Sequence, residues 1–181
     1  TGFALAGVGA AGWDALGRTL GVPSRQFFGG QVQKELDYFA FLQGDDAETV
    51  PGHARQLAGH EVFYLKVGRP RDDDAIVAAV RDSIGPSALL RIDPNEAWDA
   101  ATAVDRITRL AAYDLDWVEQ PVPHWDVAGL AHVRRKVDVK IAADQAVYTT
   151  RQLRQVLEAE AADTAVQGPH AAGALPPVAT H

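Results

Sequence analysis

Three carboxylates recur along this chain at nearly one spacing. Asp93 and Glu119 stand 26 positions apart, and Glu119 and Asp144 stand 25 apart. Asp93 closes the apolar run 89–93, Glu119 closes 115–119, and Asp144 directly follows 139–143. Runs of this length and apolarity read as strands, so each acid falls at the C-terminal end of one. If successive strands are neighbours in a barrel, the three carboxylates converge at its catalytic rim. Converging carboxylates with no Cys or His among them describe a hard-cation site. Mg²⁺ suits it best, with waters and substrate oxygens completing an octahedron. Without a cation the clustered anions would repel one another.

A fourth strand candidate, 62–67, carries Tyr64 and Lys66. Two positions apart on a strand, their side chains share one face. If that face is the barrel interior, an amine points toward the metal site. A partly desolvated Lys beside a divalent cation is suited to act as general base. Base, metal and a carbonyl-bearing substrate together make a site for removing a proton next to a carboxylate. The metal would stabilise the enediolate that forms.

The elements that must position these groups alternate. Residues 3–20 read as a helix ending at the stop Leu20-Gly21-Val22-Pro23. Phe27-Phe28-Gly29-Gly30 reads as a tight connection. Strands are expected at 36–41, 62–67, 89–93, 115–119, 139–143 and 164–167. Helices are expected at 47–59, 72–84, 98–113, 127–135 and 150–161, the last capped by Thr149. Six strands with helices between them, one strand every 25 or so residues, mean successive right-handed βαβ units and a parallel sheet. No Gly-rich phosphate loop follows a strand, which disfavours a dinucleotide-binding sheet. The expected fold class is α/β, a partial (β/α)8 TIM-type barrel of about six βα units. A closed barrel needs eight strands and roughly 250 residues.

Composition narrows the function classes. The chain has 181 residues, with 17 Lys and Arg against 24 Asp and Glu, a net charge of −7. An acidic chain without a basic block is a poor nucleic-acid binder. No apolar run approaches the length of a transmembrane helix, so no membrane partner is expected. The absence of Cys excludes disulfides, thiolate nucleophiles and Cys-zinc sites, and fits a cytoplasmic protein. The chain contains no Met and opens on Thr1, so it is expected to be a fragment.

Four stretches, in order and one unit apart, resemble the enolase superfamily in its mandelate racemase and muconate lactonizing enzyme branch. They are Tyr64-Leu65-Lys66-Val67-Gly68, Arg91-Ile92-Asp93-Pro94-Asn95, Trp117-Val118-Glu119-Gln120-Pro121 and Ile141-Ala142-Ala143-Asp144-Gln145. The region from Ala15 to Gly30 resembles the helix joining that family's capping domain to its barrel. The likeness runs over residues 10 to 175 or so. It implies a capping-region end and linker over 1–30, a partial barrel over 31–175 and a tail over 176–181. It also implies that Asp93, Glu119 and Asp144 are the three Mg²⁺ ligands. Lys66 matches the second Lys of the family's Lys-x-Lys motif, the proton-abstracting base. Asn95 matches a polar residue beside the first ligand.

The departures from the pattern are specific. Tyr64 stands where the first Lys is expected, and Gln145 where the family often has Glu. Gln167-Gly168-Pro169-His170 stands where one branch carries a second Lys and another an Asp; His170 is a candidate substrate-facing group or a loop residue. Ala174 replaces one Gly of a usual pair. The missing sixth-strand Lys disfavours a two-lysine racemase and favours dehydration or a one-base reaction through Lys66. Racemisation, epimerisation and cycloisomerisation start from the same enediolate. The resemblance thus implies an isomerase or lyase acting on a small-molecule carboxylate, with a homo-oligomer possible in a full-length parent. The alternative is a fragment or degenerate member without turnover, structural or binding an anionic metabolite only. His53, His60, His124 and His132 are not at metal-ligand spacing and read as surface or packing residues, as Trp98, Trp117 and Trp125 read as core or rim packing. Asp72-Asp73-Asp74 reads as a helix start, where the dipole favours acids.

Overall fold

The computed structural model describes residues 2–31, 34–35, 38–42, 44, 46–69, 72–166 and 168. Two compact units divide the chain, one over 1–37 with 167–181, the other over Tyr38–Val166. In the first, helix α1 (Gly2–Leu20) is followed by a 3-10 turn over Ser24–Phe28. Trp13 packs on Phe27 and Phe28, with ring centroids 5.5 and 5.0 Å apart. At Gly17 a Cβ would lie 2.7 Å from the Val22 carbonyl oxygen, so only glycine lets the chain double back there.

The second unit is strand–helix repetition: β1 (Ala40–Leu42), α2 (Thr49–Gln56), β2 (Val62–Lys66), α3 (Asp73–Ile84), β3 (Leu89–Asp93) and α4 (Ala100–Leu110). β4 (Leu115–Glu119), α5 (Val127–Lys136), β5 (Lys140–Ala143), α6 (Thr150–Glu158) and β6 (Thr164–Ala165) complete it. All strand pairings are parallel and follow chain order, β1-β2-β3-β4-β5-β6. A doubly wound sheet reverses its order at a switch point. This one never reverses, which is the progression of a (β/α)8 barrel carried through six units.

One face of the sheet builds the core. Phe63, Leu65, Leu90, Ile92, Val118, Ile141 and Ala143 alternate along the strands and are buried. Against them lie apolar stripes of the helices: Val50 and Ala54, then Ile76, Val77 and Val80, then Ala103, Ile107 and Leu110, then Leu130 and Val133. Each fully buried Leu or Ile contributes roughly 1.5–3 kcal/mol. The helix starts are capped. The side chains of Asp72, Asp99, Asp126 and Thr149 accept from the backbone N–H of Ala75, Thr102, Gly129 and Gln152.

Several boundaries differ from the sequence expectation. The fourth helix begins at Ala100, not Trp98: Asp99 caps it, while Trp98 is buried and donates its backbone N–H to the Pro121 carbonyl. It ends at Leu110, and Ala111–Tyr113 tightens into a 3-10 turn. The sixth helix stops at Glu158, and Glu160 sits at φ 49°. The first strand is Ala40–Leu42; positions 36 and 37 of its expected span lie outside the described residues, as does Gln167 of the last. Among the described residues no helix is long and apolar enough to cross a membrane.

Candidate active site

The sheet face opposite the helices presents its polar groups in layers, because register and period-2 alternation put them there. Phe41, Tyr64, Arg91, Trp117 and Lys140 stand in register across β1 to β5. One layer nearer the C-terminal ends, Lys66 is in register with Asp93, and Glu119 with Ala142. Asp116, at the register shift in β4, bonds Arg91 Nε at 2.7 Å, and Arg91 stacks on the Trp117 ring at 3.7 Å. This ionic layer forms a floor beneath the rim.

Asp93 is almost wholly buried and is met by three donors. The Tyr64 hydroxyl donates to its Oδ2 at 2.8 Å, and Lys66 Nζ contacts the same oxygen. The Asn95 backbone N–H donates to Oδ1 at 2.7 Å. Asn95 itself is exposed, in the left-handed region at φ 53°, so its contact with Asp93 comes from its turn backbone. The Tyr64 ring is held by Phe39 and Phe41, at 4.9 and 5.7 Å between centroids.

Glu119 is 5% exposed. Burial pushes its carboxyl up to about 7, and the charges of Asp93 and Asp144 push the same way; the nearby Tyr64 hydroxyl and the charge of Lys66 act against them. Burial, then the charges of Asp93 and Glu119, push the Tyr64 phenol far above its ordinary value, so it stays a donor. A carboxyl displaced this far by burial and named charges marks a candidate functional site. Asp144 follows β5 and is half-buried; its charge also acts on Tyr148.

Two groups were not distinguished by sequence pattern. Gln120, fully buried, accepts from the backbone N–H of Asp144 and of Ala146 through its Oε1. Glu96 Oε1 accepts from the His124 backbone N–H and lies 2.6 Å from its Nδ1. Nothing in the sequence marks either pair as adjacent, since partners lie 24 to 28 positions apart. His170 and Ala174 lie outside the described residues. Asp73 of the acidic run is buried, accepts from the Gly68 N–H and lies 3.7 Å from Arg106. Trp98 is core, whereas Trp125 is 74% exposed.

Residues 50–178 match the family model described as enolase C-terminal domain-like. The chain belongs to the enolase superfamily, in its mandelate racemase/muconate lactonizing enzyme branch. It is 35% identical to muconate cycloisomerase 1 of Rhodococcus opacus over 166 residues, 89% of this chain and 44% of that protein. It is 31% identical to N-succinyl-L-Arg/Lys racemase of Bacillus cereus over 164 residues, 88% of this chain and 44% of that one. Among solved structures, an enolase from Bradyrhizobium complexed with magnesium and mandelic acid superposes with a TM-score of 0.81 at 31% identity, covering 93% of this chain and 48% of that one. The chain thus spans less than half the length of these relatives.

In this enolase-superfamily chain, Asp93, Glu119 and Asp144 share one electrostatic neighbourhood without closing on a chelate. Among the described residues no three ligating side chains stand close enough to hold a metal ion as they are. Lys66 and Tyr64 hold the Asp93 oxygen instead. The donor chemistry nevertheless fits a hard divalent cation. All the donors are carboxylate oxygens, and Glu119 is destabilised as an anion first by burial and then by the charges of Asp93 and Asp144, a condition a cation relieves. Gln145 Oε1, in the residue after Asp144, is buried and has no hydrogen-bond partner among the described residues.

Proposed function

We propose that this chain carries six βα units of the barrel of a Mg²⁺-dependent isomerase that removes the proton next to a substrate carboxylate. The observation that carries this reading is the meeting of Lys66, Tyr64, Asp93 and Glu119 at adjacent strand ends, with the Glu119 carboxyl pushed up to about 7. The relatives are racemases and cycloisomerases, whose reactions can share a carbanionic intermediate at that carbon.

Asp93, Glu119 and Asp144 would hold Mg²⁺, which when bound supplies positive charge against the charge developing on the substrate carboxylate. Lys66, on the rim of β2, pairs with Asp93 as an ammonium and acts as base only after giving up that proton; its neutral Nζ then accepts the α-proton and becomes ammonium again. Tyr64 keeps its proton and donates it to Asp93 throughout, fixing that carboxylate's orientation. Arg91, stacked on Trp117 and bonded to Asp116, lies one layer below these groups.

The test is exchange of the substrate α-proton for deuterium in heavy water, with mandelate and N-succinyl amino acids as first probes. Exchange is expected in the wild type and lost in Lys66→Ala. Exchange that survives in Lys66→Ala removes Lys66 as the base.

A further inference from the structure

We infer that Gln120 is a positioning residue that locks the three ligand-bearing strand ends to one another; this rests on Asp93, Glu119 and Asp144 being the metal ligands. It follows Glu119 directly and has no exposed surface. Its backbone carbonyl accepts from Glu96 N at 2.8 Å, three residues beyond Asp93. Its backbone N–H donates to the Ala142 carbonyl at 2.8 Å, on β5. Its side chain then reaches past the end of β5. Oε1 accepts from Asp144 N at 3.0 Å and Ala146 N at 3.1 Å, while Nε2 donates to the Val122 carbonyl at 2.9 Å.

So one residue bonds the turn after β3, its own turn after β4, and the turn after β5. Each of those turns adjoins one of the carboxylates. Gln120 adopts φ 36°, a left-handed conformation that an L residue with a full side chain rarely takes. The strain persists because the surroundings over-determine it. Buried side-chain amides satisfied on both atoms are costly to disturb, since each lost acceptor leaves a backbone N–H unpaired. Outer groups that orient ligands typically change metal affinity by about 10- to 100-fold when removed. Gln120 acts on the backbone of Asp144 in that way.

The experiment is Mn²⁺ binding followed by electron paramagnetic resonance, beside metal-free thermal unfolding, for wild type, Gln120→Met, Gln120→Glu and Asp144→Asn. Gln120→Met keeps the volume and removes both hydrogen-bonding atoms. It is expected to weaken Mn²⁺ by about 10-fold or more. Gln120→Glu keeps an oxygen at the Oε1 position and is expected to bind closer to wild type than to Gln120→Met. A Gln120→Met protein that is less heat-stable yet binds Mn²⁺ like wild type overturns the inference, since that pattern is a structural role alone. If Asp144→Asn leaves Mn²⁺ binding unchanged, the ligand assignment itself fails. Hydrogen exchange in the metal-free wild type decides the matter should Gln120→Met not fold. Protected Asp144 and Ala146 amides are expected, and exchange at free-loop rates overturns the clamp.

Discussion

The Tyr64 hydroxyl crosses from β2 to β3 and donates to Asp93 Oδ2 at 2.8 Å, both groups being buried. It occupies the position that the family resemblance assigns to a lysine. A neutral donor there holds the same carboxylate without adding a charge, which leaves Lys66 as the one cation bonded to Asp93 among the described residues.

Tyr64→Phe tests that bond. The ring keeps its packing on Phe39 and Phe41, and only the donor is lost. Asp93 retains Lys66 and the Asn95 N–H but loses one partner in a buried setting. Metal-free urea denaturation should show a loss of about 1–3 kcal/mol. An unchanged urea midpoint would mean the hydroxyl contributes nothing to holding Asp93.

Glu119 gives a pH dependence of definite sign. Its folded pKa, about 7, lies above the ordinary 4.5, so the folded chain holds this proton more tightly than the unfolded one. Stability from this group is therefore present below pH 4.5 and is lost as pH rises through 7. Metal-free denaturation should become easier between pH 5 and pH 8, by on the order of 2–3 kcal/mol from this group. Glu119→Gln should flatten that slope. A metal-free protein equally stable at both pH values would show that Glu119 is not under this pressure.

Gly68 and Gly85 separate backbone strain from crowding. Both have positive φ, 81° and 77°. A Cβ at Gly85 meets nothing within 4 Å, whereas at Gly68 it would lie 2.7 Å from Ala97 Cβ and 2.8 Å from the Pro94 carbonyl oxygen. Strain alone costs about 1–3 kcal/mol. Gly68→Ala should therefore lower the urea midpoint more than Gly85→Ala. Because Gly68 closes the strand that carries Lys66, it should also slow α-proton exchange. Equal losses of stability would mean the loops after β2 and β3 can separate freely.

The parts of this molecule that depend on period were legible in its sequence. The alternation of short apolar runs with amphipathic stretches places five of the six strands closely, while the first, expected at 36–41, is Ala40–Leu42. The even spacing of Asp93, Glu119 and Asp144 puts them on successive strand ends. Tyr64 and Lys66 share a face because strand periodicity requires it. What depends on local backbone was not legible. Asn95 bonds Asp93 through its N–H and not its side chain. Trp98 reads as helical by pattern, yet its N–H goes to the Pro121 carbonyl, and Asp99 takes the cap. Gln120 carries no periodic signal at all, since its importance comes from a left-handed turn and partners 24 and 26 residues away.

The most direct test of the metal-site claim is thermal unfolding with increasing Mg²⁺, for wild type and Glu119→Gln. A cation that binds only the folded state stabilises it by mass action, by about 2.7 kcal/mol at a hundredfold excess over Kd. The account predicts a saturable rise in Tm for the wild type that Glu119→Gln abolishes. A wild-type Tm that does not move with Mg²⁺, or an equal rise in both proteins, would contradict it.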